Sequence, residues 1–193
     1  MKPVYFSVFL ILITSFSMAQ TLPFSQIPEA PKEITAANSL MRMIQGLGFR
    51  YYWATEGLRE EDLDYRPTVE AASSLETLQH LHILCKTIAE TFQNKPSIRP
   101  AVRTSKSLDV LRSETLNNLA TAAQILSEIK LEADAVQIVF ERDGVQTKFP
   151  IWNLINGPIS DALYHTGQVV SFRRTTGNPI AKGVNVFLGT KTN

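Results

Sequence analysis

Residues 73–93, SSLETLQHLHILCKTIAETFQ, carry the pattern from which the fold is read. Leu75, Leu78, Leu81, His82, Cys85, Ile88 and Ala89 recur mostly at spacings of three and four, so a helix of 3.6 residues per turn gathers them on one broad face. Ser73 or Ser74 offers a hydroxyl to the unpaired N–H groups of the first turn, and Glu76 lies where the positive end of the helix dipole favours an acid. The only cysteine, Cys85, has Ile83 and Leu84 beside it and reads as a small core residue rather than a nucleophile. An amphipathic helix needs partners for its apolar face, and the flanking sequence supplies them.

Upstream, Ile34, Leu40, Met41, Ile44, Leu47 and Tyr51 give a helical pattern over 33–58. Residues 59–72 are polar, include Pro67 and read as a connection, with room for one short turn at Glu60-Glu61-Asp62-Leu63. Downstream, Pro96 and Pro100 break the chain before a third helix over 107–129, rich in Leu and Ala. Two β-prone runs, 136–140 and 145–149, flank Asp143-Gly144, which predicts a hairpin lying on the helices. A fourth helix spans 150–175, with a kink or restart at Gly157-Pro158 and a stop at Gly177-Asn178-Pro179. The tail has enough apolar residues for one strand-like segment. The expectation is an all-α four-helix bundle with a small β-hairpin between helices three and four.

The N-terminus reads as an address. Lys2 precedes an uncharged apolar run over 4–16, and Ser17-Met18-Ala19 sets small residues before Gln20 as signal peptidase requires. The run is shorter than the ~20 residues of a bilayer span. We therefore expect a signal peptide at 1–19, an extended proline-containing leader at 20–32 and one domain at 33–193, exported to the periplasm or secreted, with no membrane attachment after cleavage. Over 193 residues, 19 basic side chains face 18 acidic ones with no basic block, which argues against nucleic acid as a partner.

The chain has three histidines, His80, His82 and His165. Asp161 and His165 are four residues apart, about 40° on a helix, so both project from one face. A third donor from a facing helix would complete a facial triad for a divalent metal, with positions left for a small-molecule ligand. His80 and His82 point about 200° apart, so only one can join. Periodicity aligns His82 with Leu78, Cys85 and Ala89, and His80 with Ile83 and Leu84. Two other readings stand beside the metal site: an Asp–His pair that is only a solvated ion pair, and a haem held by His82 and His165. Gln168, one turn beyond His165, could orient a ligand. Glu76 is the carboxylate nearest His80, better suited to serving the helix terminus, and Tyr51, Tyr52 and Trp53 could wall a pocket or fill the core.

Two stretches resemble the DinB-like superfamily of bacterial metal-binding proteins. One is Gly57-Leu-Arg-Glu-Glu-Asp-Leu-Asp-Tyr-Arg-Pro67, followed by Ser74-Leu-Glu-Thr-Leu-Gln-His80-Leu. The other is Asp161-Ala-Leu-Tyr-His165-Thr-Gly-Gln168, trailed by Arg173-Arg174 and Gly177-Asn178-Pro179. The resemblance implies a four-helix fold, selects His80 over His82, and makes His80, Asp161 and His165 the ligands of one divalent ion (Zn, Ni, Mn or Fe). Asp161 stands where the family usually has histidine, which shifts preference toward harder metals or weakens the site. The resemblance implies metal binding with a transferase activity or none known; the activity is left unassigned, with a metal-dependent hydrolase or transferase acting on a small molecule and a non-catalytic ligand-binding or structural bundle as the alternatives. A homodimer is the partner the resemblance implies.

Overall fold

The computed structural model describes residues 21–103, 107–132 and 135–192. The expected signal peptide falls outside the described residues. Helix α1 (Ala36–Thr55) starts where the Thr35 side chain accepts from Asn38 N at 3.1 Å, and a short α2 (Glu60–Asp64) fills the connection after it. Helix α3 (Ser74–Phe92) begins in a reciprocal cap: Glu76 N donates to Ser73 Oγ at 3.1 Å, and Ser73 N donates to Glu76 Oε2 at 2.8 Å. Helix α4 is Leu108–Glu128.

The last helical stretch runs through α5 (Ile151–Leu154), a π-helical turn (Ile155–Ile159) and α6 (Ser160–Thr175). Pro158 explains the turn. It has no N–H to donate and its ring would strike the carbonyl four residues back, so the chain widens by one residue rather than breaking. Ser160 Oγ donates to Ile155 O at 2.6 Å, giving that carbonyl a partner.

Helices α1 and α3 each pack on both α4 and α6. Ile44, Leu47, Tyr51, Leu78, Leu81, Cys85, Leu116, Leu119, Leu154 and Ile159 fill the space between them. A fully buried Leu or Ile there contributes roughly 1.5–3 kcal/mol. The leader lies along α1: Phe24 covers Gly48, where an added Cβ would come within 2.5 Å of the ring, and Trp53 Nε1 donates to Ser25 O at 3.1 Å.

The expectation of an all-α bundle is corrected by the sheets. The hairpin forms as predicted, β2 (Gln137–Arg142) antiparallel to β3 (Val145–Pro150), turning through Asp143 and Gly144, both at positive φ. A third strand, β1 (Ser97–Ile98), pairs parallel with β2, making a mixed three-stranded sheet. The tail forms a ribbon of β4 (Val184–Asn185) and β5 (Thr190–Lys191), where one strand-like segment was expected. The fold is therefore mixed. The physical reason is that a strand of two residues has no periodicity to read: Ser97 and Ile98 become a strand only because the edge of β2 lies beside them.

One polar hub fixes α6 against α1 and α2. Arg173, 2% exposed, donates from Nη1 to the carbonyls of Trp53, Ala54 and Glu56 at 3.3, 2.9 and 2.9 Å, closing the C-terminal end of α1. Its Nε and Nη2 reach Asn178 O at 2.6 Å and Asn178 Oδ1 at 3.1 Å. Asn178 Nδ2 in turn donates to Asp62 Oδ2 at 2.6 Å and Gly57 O at 2.9 Å. Burial of Asp62 alone would raise its pKa, but bonds from the Arg59 side chain, Thr176, Asn178 and Arg59 N outweigh it and hold the carboxyl well below the usual range. The Gly177-Asn178 stop signal thus does more than end a helix.

Candidate metal centre

Helix α6 presents Asp161, His165, Gln168 and Phe172 in one stripe, at spacings of four, three and four. That stripe faces the seam where α6 meets α3, and His80 reaches into the same seam. His80 Nε2 lies 3.1 Å from Asp161 Oδ2, and His165 Nε2 lies 3.3 Å from Asp161 Oδ1. Ligand atoms of all three lie within 4.8 Å of one another, so the group could hold a metal ion. It is the one such group of His, Cys, Asp and Glu among the described residues.

The spacing fits coordination. Two donors each about 2.0–2.2 Å from an ion, separated by the angles of tetrahedral or octahedral geometry, lie roughly 3.0–3.5 Å apart. His165 has the orientation such a ligand needs. Its Nδ1 lies 2.6 Å from Gln168 Oε1, so a proton on Nδ1 would donate to that oxygen and leave Nε2, beside Asp161, as the nitrogen able to bind an ion. The two imidazoles meet edge to face with centroids 4.7 Å apart. The side chains of His80, Asp161 and His165 are 37%, 41% and 22% exposed, so the group is open on one side.

That side opens on a pocket of about 320 Å³ lined by Pro67, Ala71, Ala72, Glu76, Thr77, His80, Arg103, His165, Gln168 and Phe172. Glu76 lines it but is committed. The Ser73 backbone N–H and the Arg66 guanidinium, 2.7 Å away, lower its pKa, so it stays an ionised cap rather than a poised base. The aromatic wall considered for the pocket comes from elsewhere. Tyr51 is fully buried in the core, where burial pushes its phenol pKa up, and Tyr52 lies under the Arg112 guanidinium at 4.5 Å. Trp53 turns to the leader. Phe172, which packs on Tyr65 with centroids 5.4 Å apart, supplies the aromatic surface instead.

His82 goes the other way. It is buried between α3 and α4, with Nδ1 3.3 Å from Thr115 Oγ1 and Nε2 3.4 Å from Glu114 Oε2. The structure does not bring His82 and His165 together as a haem pair. Cys85 is fully buried and its thiol is pushed up by that burial, as suits a core residue.

Compared with protein-family models, with curated proteins and with solved structures, the chain matches none.

The sequence reading missed Phe172, although its place one turn beyond Gln168 on the stripe of Asp161 and His165 could have found it. Arg103, Pro67, Ala71 and Ala72 were not legible, because they come from connections whose path only packing decides.

Proposed function

We propose that this chain binds one divalent metal ion through His80 Nε2, the Asp161 carboxylate and His165 Nε2, at a site that takes a small-molecule ligand, and that it belongs with the DinB-like proteins. The observation that carries the reading is the convergence of three donors from two helices at coordination spacing, with Gln168 Oε1 placed to hold His165 through its Nδ1. An imidazole pair with one carboxylate suits Zn²⁺, Ni²⁺, Mn²⁺ or Fe²⁺. An ion held there supplies Lewis acidity. The residues do the rest: Gln168 holds His165, Asp161 spans both histidines, and Pro67, Ala71, Ala72 and Phe172 border the approach.

A closed structural zinc site uses four protein donors, whereas three donors facing a pocket favour a ligand-binding or catalytic site, such as a hydrolase or transferase acting on a small molecule. Export by a signal peptide cleaved near Ala19 belongs to the same proposal.

The test is elemental analysis of the protein purified without a polyhistidine tag, wild type beside His165→Ala and Asp161→Ala. About one equivalent of metal in the wild type, lost in both variants, is the expected result. No metal after reconstitution with Zn²⁺, Ni²⁺ and Mn²⁺ would mean the triad is only an ion pair.

A further inference from the structure

We propose that the pocket beside the triad takes a small organic acid, with Arg103 receiving its carboxylate while a second oxygen of the same molecule reaches the His80–Asp161–His165 group. The second contact and the preference for a dianion rest on the metal reading above; the Arg103 contact does not.

Arg103 lines the pocket together with His80, His165 and Glu76. The charged groups around it are already partnered. Glu76 is bound to Arg66 at 2.7 Å and to Ser73 N at 2.8 Å, and Asp161 lies between the two histidines. Arg103 acts on Glu76 only through space, and among the described residues it makes no hydrogen bond or ion pair of its own. Its planar fork of N–H donors matches a carboxylate in two parallel hydrogen bonds.

Charge points the same way. With a divalent ion in place, Asp161 and Glu76 set against Arg66 and Arg103 leave the pocket two positive charges in surplus. A neutral or cationic ligand would leave that surplus uncompensated, and an organic dianion would cancel it. Ala71, Ala72 and Phe172 also line the pocket and give it apolar surface suited to a short carbon stem. A volume of about 320 Å³ sits at the low end of small-molecule sites, which limits the acid to a few carbons.

The experiment is calorimetric titration of the full chain, its metal content measured beforehand, with succinate, with uncharged succinamide and with inorganic phosphate. Wild type and Arg103→Met are compared. Arg103 is exposed and outside every helix and strand, so the variant should keep the wild-type circular dichroism and metal content. The expected result is succinate binding that weakens at least tenfold in Arg103→Met, with no binding of succinamide. Equal succinate affinity in the two proteins, or no succinate binding to either, overturns the proposal. Phosphate binding as tight as succinate overturns the assignment to organic acids. A protein that takes no metal, yet binds succinate only when Arg103 is present, retires the metal reading and leaves the Arg103 contact standing.

Discussion

Replacing Arg173 with methionine tests the polar hub that seats α6. Methionine keeps most of the apolar stem but donates nothing, so the five hydrogen bonds to Trp53 O, Ala54 O, Glu56 O, Asn178 O and Asn178 Oδ1 are lost together. The bond to Ala54 O is fully buried and the other four are partly so, and water can replace some of the latter. An unmade buried acceptor costs about 1–3 kcal/mol, and bonds from a charged donor contribute about 1.5–3 kcal/mol each. Against this stands the recovered cost of desolvating the guanidinium, several kcal/mol. Asp62, which the guanidinium helps to balance, loses a neighbouring cation as well. The net loss comes to about 3–5 kcal/mol, comparable to breaking a buried charge pair. For a chain of this size that lowers the melting temperature by roughly 6–20 °C. Urea unfolding followed by circular dichroism measures it. Arg174→Met, next door and exposed, serves as the control and should stay within about 0.5 kcal/mol of wild type. Arg173→Lys should rescue little, because one ammonium cannot span three carbonyls and Asn178. A loss below about 1 kcal/mol in Arg173→Met would refute the reasoning.

Gln168→Leu removes the side-chain oxygen that meets His165 Nδ1 while leaving all three donors in place. Metal affinity should fall roughly 10–100-fold without loss of fold, read by competition with a chromophoric chelator. Asp62 gives a pH prediction. Its folded pKa is depressed, so its stabilisation is fully present above the ordinary carboxylate value of 3.8 and drains away as pH falls below it. Unfolding free energy measured between pH 7 and pH 2 should therefore fall more steeply in wild type than in Asp62→Asn over the acid limb, and parallel curves would show that Asp62 is not the linked group.

The histidines show where sequence reading gains and loses. The apolar periodicity of residues 73–93 aligns His82 with the core, and His82 is indeed the buried one, at 7% exposure. The stripe method finds the most buried face of a helix, which for α3 is the side toward α4. The metal site instead uses the half-open seam between α3 and α6, where a ligand can enter, and a seam residue such as His80 looks like surface to a periodicity count. The resemblance, rather than the pattern, selected the histidine that meets Asp161. The Asp161–His165 pair was legible from spacing alone because both lie on one uninterrupted helix.

By itself the sequence determined what is local. A serine cap at Ser73 or Ser74, the turn at Asp143-Gly144, the disturbance at Pro158 and the apolar faces of four long helical segments all follow from hydrogen bonding and sterics within a few residues. Only the tertiary structure decided what depends on distant partners: β1 against β2, the second strand of the tail ribbon, Arg173 closing α1 from α6, and Arg103 lining one pocket with His80. These contacts join residues whose separation along the chain carries no signal, so their chemistry becomes visible only once the helices have packed and brought them within a few ångströms.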